Sequence, residues 1–424
     1  MTLEDILETE EMYQKRMALK KASKTDRKFQ QDDNVYCFID DTKMVNTFVL
    51  TTYSPPDDKF DAFKDTIVNC VNEFDKNTYP IQIILKQNGG GIANLELTIQ
   101  KAFAPYNNDV NFNAMRISDY SERIMASGYI DLCFDLNTCK KVGKNTTFYD
   151  KPREIKYGDV THKITQITTD GFEPAANIKM KNIRKPTEIV VYTDSFCFSC
   201  CSVTAKGMKE HGSAIMVGFD GDPGLTGTDK FEVGQSPTAV VTLSNQFKET
   251  NKPFELDAYG ISVGVSFAES FRYNYEYTET VPKEFLIDEI DERTTFTSYD
   301  DAKLDQFTTK TLELVEKYKT KCNPKNKRLV KVDSKCDATV QKKDKNARGG
   351  YLCGDNGEWT TTCVISHCDV GYVFDHKNQK CLIDVCNPPK DSGNKPSGNT
   401  NKNNNGSVAM NILMMIMMFV ALFI

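Results

Sequence analysis

The first 30 residues of the chain lack any apolar run. A secretory signal needs an uninterrupted apolar stretch of roughly 7 to 15 residues, so the segment MTLEDILETEEMYQKRMALKKASKTDRKFQ cannot be one. We interpret residues 1–30 as an N-terminal helical segment that precedes the main domain.

An excess of positive charge is also missing. The chain has 53 Lys and Arg against 59 Asp and Glu, a net charge of −6, and the two signs are interspersed. Nucleic acid is therefore not an expected partner, because binding it requires a concentrated basic surface. Acidic residues are plentiful but no metal-ligand spacing stands out, so we expect neither a metal nor another cofactor.

Histidine is scarce as well, with four residues in 424: His162, His211, His367 and His376. The last two lie in a cysteine-rich segment, where their spacing matches no recognisable zinc set. None precedes His162, which limits the acid–base chemistry available to the first part of the chain.

Cysteine, in contrast, is abundant and unevenly placed. Seven of the fourteen lie in residues 322–386, a density typical of small extracellular modules and of an oxidising compartment. Because seven is odd, at least one of them is either unpaired or paired outside the module. Connectivity does not follow from spacing.

The chain ends in an almost wholly apolar segment, residues 408–424, after a polar linker at 387–407. Small residues, a polar spacer and an apolar tail together are typical of a lipid-anchor (GPI) addition signal. A retained transmembrane helix and a buried structural helix are the alternatives, since 17 residues is short for a membrane span. We expect a membrane, cell-surface or secretory-pathway location, reached through this tail.

Residues 31–300 show an α/β pattern in which a strand, a tight turn and a helix occur twice. Residues 44–53 and Ile81–Leu85 read as strands, and an apolar helical face lies between them, formed by Phe60, Phe63, Ile67, Val71 and Phe74. A second buried strand at 188–193 precedes a helix at 200–210. An amphipathic helix at 301–321 leads into the cysteine-rich module.

The two turns carry the candidate chemistry. The glycines of the Asn88–Gly91 turn could present backbone N–H groups to an oxyanion, although most such turns are structural. Ser199 lies where the second helix begins, so its alkoxide would gain from the positive end of the helix dipole. Alternatively, Ser199 is merely an N-cap. Cysteines at 197, 200 and 201 flank it, and we rank a cysteine nucleophile below the serine.

Two segments resemble the tail-specific (C-terminal-processing) serine peptidases. YPIQIILKQNGGG, at 79–91, is similar to their strand-plus-glycine signature, and TDSFCFSCCSVTAKGMKEHGSAIMVG, at 193–218, to their nucleophile segment. The resemblance spans roughly residues 30–300. It implies a crotonase-like α/β fold with a ββα superhelix and hydrolysis of peptide or protein substrates. By this resemblance Ser199 is the nucleophile, while Cys200 and the Gly89 and Gly90 turn hold the oxyanion.

The family activates its serine by one of two schemes, and the two schemes fit this sequence to different degrees. The Ser-Lys scheme lacks its base, because Gly224 occupies the position of the lysine, and we expect Lys206 to be solvated. The Ser-His-Glu scheme fits better and offers Glu276, or alternatively Glu269, as the glutamate, with Glu276 preferred. Its histidine should precede the glycine signature and is absent. His162 could approach the site only if a hairpin folded over it, and we expect it to be a surface strand residue instead. His211 lies roughly 18 Å along the helix from Ser199.

Two interpretations follow from the missing histidine. Either the sequence is a shortened form of a membrane-anchored serine endopeptidase and is weak or inactive, or it is a relative without catalysis. In the second case it would be a cell-surface peptide-binding or adhesion protein that keeps the protease fold.

Overall fold

A computed structural model describes most of the chain. The described residues are 27–107, 112–126, 133–142, 151–170, 173–219, 240–242, 255–261, 263–266, 268–271, 282–283, 286, 290–296, 304–326, 328–375 and 378–389. Residues 1–26 of the predicted N-terminal segment 1–30, and the whole tail at 408–424, fall outside them, whereas residues 29 and 30 belong to a strand rather than a helix. Within this part of the chain, no helix combines the length and the apolarity needed to span a bilayer.

The described elements form a mixed α/β structure. The strands are β1 Phe29–Gln31, β2 Val35–Asp40, β3 Val45–Leu50, β4 Ile81–Leu85, β5 Phe112–Met115, β6 Cys133–Asp135, β7 Arg153–Tyr157, β8 Val160–Ile164, β9 Thr168–Asp170, β10 Ile189–Thr193, β11 Ile215–Gly218, β12 Val240–Thr242, β13 Gly264–Ser266, β14 Ala268–Phe271, β15 Glu292–Arg293, β16 Lys331–Val332, β17 Ala347–Cys353, β18 Trp359–Cys368, β19 Tyr372–Asp375 and β20 Lys380–Ile383. The α-helices are α1 Phe60–Phe74, α2 Ala93–Phe103, α3 Asp119–Ala126, α4 Cys200–Glu210, α5 Leu304–Lys317 and α6 Ser334–Val340.

The central sheet has seven strands in the order β1-β2-β3-β4-β10-β11-β15. Strands β3, β4, β10, β11 and β15 run parallel, and β4 and β10 are buried along their whole length. Such strands read as continuous apolar runs because helices cover both faces. The predicted strands and the two strand–turn–helix units are confirmed. The superhelical arrangement implied by the resemblance remains a prediction.

Helices lie on both faces of this sheet. On one face, alternate strand residues such as Ile83 and Val191 pack with the apolar sides of α1, α2 and α4. On the other, Ile84 and Tyr192 join a second cluster with Phe307 of α5. The alternation follows from the two-residue period of a strand, and it makes the sheet the middle of three layers.

A second sheet has the order β14-β5-β9-β6 and contains Glu269 on β14. The hairpin of β7 and β8 contains Tyr157 and His162. The chain after β9 runs beside α2. The Asn94 side chain donates to the Glu173 carbonyl at 2.5 Å, and Ala175 N–H donates to the Asn94 carbonyl at 2.9 Å. The segment that begins three residues after β9 is therefore hydrogen-bonded to the start of α2, the helix that follows the glycine turn.

The cysteine-rich segment contains three internal disulfides, Cys322–Cys353, Cys336–Cys363 and Cys368–Cys381. Its seventh cysteine, Cys386, pairs with Cys139, 247 residues earlier. The odd count is thus explained by pairing outside the segment.

Candidate functional site

The two turns singled out in the sequence follow neighbouring parallel strands. Leu85, the last residue of β4, is directly paired with Thr193, the last residue of β10. Because both strands end at the same edge of the sheet, the Asn88–Gly91 turn and the Ser199 turn emerge side by side. Side chains at this edge of an open parallel sheet are the usual positions for binding groups.

Hydrogen bonds join the two turns. Phe198 N–H donates to the Asn88 carbonyl at 2.9 Å, and the buried Asn88 side chain donates to the Leu50 carbonyl at 3.2 Å. The buried carboxylate of Asp194 accepts from the backbone N–H of Gln87 at 2.6 Å and from that of Phe196 at 3.1 Å. Each turn is thereby fixed relative to the other.

Gly90 is the point of closest approach. A Cβ atom placed on it would lie 2.6 Å from the Phe198 carbonyl oxygen, 2.6 Å from Ser199 Cβ and 2.8 Å from Cys200 N. Its φ of +86° also lies in the region that favours glycine. No residue with a side chain fits here without moving the Ser199 turn, which explains the glycine physically.

Ser199 itself has a left-handed backbone conformation, with φ 50° and ψ −123°. For a residue that is not glycine this costs of order 1 to 3 kcal/mol, so the surrounding structure must hold it. Its side chain makes no capping hydrogen bond to α4. The interpretation of Ser199 as an ordinary N-cap therefore loses its physical basis, since the cap's benefit comes from that bond.

The turn also determines which amides could face an oxyanion. Gly90 N–H donates to Asn88 Oδ1 at 2.9 Å, so this donor is already used. Gly89 is partly exposed and precedes it, while Cys200 is the first residue of α4, where backbone N–H groups have no intrahelical acceptor. Of the three predicted oxyanion residues, Gly89 and Cys200 are the better placed.

A disulfide spans the candidate nucleophile. Cys197 and Cys201 are bonded to each other, and both are fully buried. Cys200 belongs to none of the six disulfides, and its thiol donates to the Gly91 carbonyl at 3.1 Å. In this oxidised state Cys197 and Cys201 cannot act as nucleophiles. Phe196 and Phe198, by contrast, are 59% and 39% exposed and leave an apolar surface beside Ser199.

Glu269, on β14, is the centre of a buried polar cluster. Its fully buried carboxylate accepts from Arg116 Nε at 2.6 Å and from Tyr157 Oη at 2.8 Å, and it contacts His162 Nε2 at 2.6 Å. His162 lies on strand β8, as expected, with its side chain 23% exposed, and it is a partner of Glu269. Glu276, the other candidate, lies outside the described residues.

Two remaining candidates from the sequence are settled by packing. Lys206 is buried, 5% exposed, and its ammonium donates to the Leu286 carbonyl at 2.6 Å, so the expectation that it is solvated is wrong. Seven residues along a helix is roughly 10 Å, which keeps it out of hydrogen-bond reach of Ser199. His211 ends α4, as its position in the sequence predicts.

Sequence reasoning missed two features. Cys197 and Cys201 are four residues apart across the start of a helix, and this short spacing was a usable signal for the disulfide. No local signal connects His162 with Glu269, which are 107 residues apart.

No family model matches the chain, and no curated protein matches it. Among solved structures it is similar to mature CPAF complexed with lactacystin, at 13% identity and a TM-score of 0.38, over 68% of this chain and 57% of that one. A candidate peptidase from Parabacteroides merdae gives 12%, 0.38, 70% and 68%, and the photosystem II D1 C-terminal processing protease gives 11%, 0.25, 60% and 42%. The chain thus spans less than two thirds of the length of mature CPAF. At these identities and TM-scores, the similarities do not by themselves assign an activity.

Proposed function

We propose that the protein is a serine-type peptidase that hydrolyses peptide bonds through Ser199. The observation that carries the proposal is the conformation of this residue. Ser199 is half-buried at the first turn of α4, in a strained backbone conformation, with Gly90 packed against it and no capping role for its side chain. Strain that surrounding groups maintain at a helix start is characteristic of activated nucleophiles.

In this proposal Ser199 Oγ attacks the scissile carbonyl carbon, and the carbonyl oxygen becomes an oxyanion. Backbone N–H groups of Cys200 and Gly89 would stabilise it, together with the positive end of the α4 dipole. The exposed rings of Phe196 and Phe198 flank the serine and favour substrates with apolar side chains near the cleaved bond.

His162 and Glu269 supply the acid–base pair in this proposal. A carboxylate that contacts one imidazole nitrogen fixes the ring's tautomer and stabilises the imidazolium, which leaves the other nitrogen to take the serine proton. The contact between His162 Nε2 and Glu269 Oε1 has the geometry for this, and Tyr157 Oη holds the second carboxylate oxygen. In support, β9 belongs to the sheet that contains Glu269, and the chain that follows it is hydrogen-bonded to Asn94 at the start of α2, shortly after the glycine turn.

A second candidate is a cell-surface peptide-binding protein without catalysis. One observation favours it: Arg116 Nε donates to the same oxygen, Glu269 Oε1, that His162 contacts. The guanidinium of Arg116 is permanently charged and partly neutralises the Glu269 carboxylate. This weakens the ability of the carboxylate to stabilise an imidazolium, and it favours a purely structural cluster.

A fluorophosphonate probe separates the two, because it labels only an activated serine. The peptidase proposal predicts labelling of the full chain that Ser199→Ala abolishes. Ser195→Ala, at an exposed serine of the same turn, is the matched control and should label normally. His162→Asn should lower the labelling rate by two or more orders of magnitude. A folded, unlabelled wild-type chain would favour the binding protein.

We further propose that residues 408–424 attach the protein to a membrane, on the strength of their apolar sequence. Treating membranes with a phospholipase that cleaves lipid anchors distinguishes the two attachments. Release into solution indicates a lipid anchor, and retention indicates a spanning helix.

A further inference from the structure

The disulfide between Cys197 and Cys201 closes the shortest loop of the six. Its cysteines are 4 residues apart in sequence, whereas the other separations run from 13 to 247. Loop-closure entropy grows with loop length, so this bond restricts the unfolded chain least and contributes least to global stability. We therefore expect its role to lie in the local structure of the turn that it closes.

Locally, the bond encloses Ser199. Cys197 precedes α4 by three residues and Cys201 is its second residue, so the bond ties the incoming chain to the first turn of the helix. Both sulfur-bearing side chains are fully buried, while Phe196 and Phe198 on either side of Cys197 are exposed. Cys197 is therefore the inward anchor of a turn whose neighbouring side chains point outward.

The other restraints on this turn act at different points. Asp194 holds Phe196 N–H, and the Asn88 carbonyl holds Phe198 N–H. Both restraints lie on the N-terminal side of Ser199, and helix bonds begin on its C-terminal side, where Val203 N–H donates to the Ser199 carbonyl at 2.9 Å. One hydrogen bond also crosses Ser199, from Cys201 N–H to the Phe198 carbonyl at 3.0 Å. The disulfide is the covalent link, among these restraints, between the two sides of Ser199.

We propose that the Cys197–Cys201 disulfide is a positioning device that maintains the left-handed conformation of Ser199. The inference rests on the proposed function, since it concerns the same nucleophile. Without the bond, the residue can relax toward an ordinary φ, which rotates Cβ and Oγ away from the Cys200 and Gly89 amides. The bond itself contacts no substrate, and its effect is exerted through Ser199.

The test compares Cys197→Ala/Cys201→Ala with the control pair Cys368→Ala/Cys381→Ala, which removes the next shortest disulfide. Two quantities are measured on full-length, folded proteins: the rate of fluorophosphonate labelling, and amide hydrogen exchange of peptides covering residues 196–203. We expect the first pair to label about ten- to a hundredfold more slowly and to exchange faster in that segment only. The control pair should match wild type in both.

The two measurements keep this inference distinct from the peptidase proposal. If wild type does not label yet exchange at 196–203 rises in the first pair, the peptidase proposal fails and the positioning role stands. If the first pair folds and both its labelling and its exchange equal those of wild type, the positioning role is overturned. Should the alanine pair not fold, Cys197→Ser/Cys201→Ser provides the same comparison with side chains closer in size to cysteine.

Discussion

Single residues at the site combine a strained backbone with close packing. The backbone conformation of Ser199 has an energetic cost that can be measured. Its φ of 50° is unfavourable for any residue with a Cβ atom but not for glycine. We expect Ser199→Gly to be more stable than Ser199→Ala by about 1 kcal/mol, because both lose the hydroxyl but only glycine relieves the backbone. Urea denaturation of the two variants measures this difference. Equal stability would show that the conformation is not strained.

Gly90 offers a prediction with an internal control. Gly90→Ala should destabilise the fold by about 2 kcal/mol or more and slow labelling of Ser199 at least tenfold, because the new methyl overlaps the Ser199 turn.

Gly158 has a similar left-handed φ, +57°, but no atom lies within 4 Å of where its Cβ would be. Gly158→Ala should therefore cost only the backbone term, roughly 1 kcal/mol, with normal labelling. A Gly90→Ala protein that labels at the wild-type rate would contradict the close approach.

Among elements, β18 contributes a pH-sensitive contact to the α/β part of the chain. His367 stacks on Tyr106, which follows α2, with ring centroids 4.1 Å apart. Burial, and next the charge of Arg348, lowers the pKa of His367 from 6.5 to about 4. The folded protein therefore binds a proton at His367 less readily than the unfolded chain does.

The sign of the pH effect follows from linkage. The stability contributed by neutral His367 is complete above pH 6.5 and is lost as the pH falls toward 4, by up to about 3 kcal/mol. His367→Phe keeps the stacking and removes the titration, so its melting temperature should fall less than that of wild type between pH 7 and 4.

A second buried group makes the comparison with wild type necessary. Burial raises the pKa of Asp291 to about 6, which makes its contribution decrease as the pH rises from 3.8 through 6. Because both proteins contain Asp291, its effect cancels in the difference. If the melting temperatures of wild type and His367→Phe fall by the same amount between pH 7 and 4, the role of His367 is refuted.

The sequence was most informative about individual helices and strands. The helical spacing of Phe63, Ile67 and Val71 and the apolar run Ile81–Leu85 are local patterns, and local patterns report which face is buried. The two turns were found because their glycines and serine follow such runs. Which amide of the glycine turn is already bonded depends on the Asn88 side chain, and no periodicity reports that.

The features that escaped prediction depend on distant parts of the chain. The contact between His162 and Glu269 requires the hairpin and β14 to meet, and the burial of Lys206 depends on the carbonyl of Leu286. Pairing of Cys386 with Cys139 is likewise invisible to spacing. Such contacts are decided by tertiary packing, whereas sequence patterns describe one element at a time.

For the whole molecule, the Cys139–Cys386 disulfide is the longest-range covalent link. In the chain-entropy model, removing it with Cys139→Ala/Cys386→Ala should lower the free energy of unfolding by about 5 kcal/mol. The pair Cys368→Ala/Cys381→Ala, with a separation of 13, should lose less. Denaturant titration at fixed pH compares them, and a larger loss in the second pair would contradict the prediction.

That same link changes what a protease could do to this protein. A single backbone cut anywhere between residues 139 and 386 would leave both pieces covalently joined. A nicked molecule would migrate as one species on a non-reducing gel and as two on a reducing gel. Cleavage inside this loop, whether by the protein itself or by another enzyme, would therefore alter the chain without releasing any part of it.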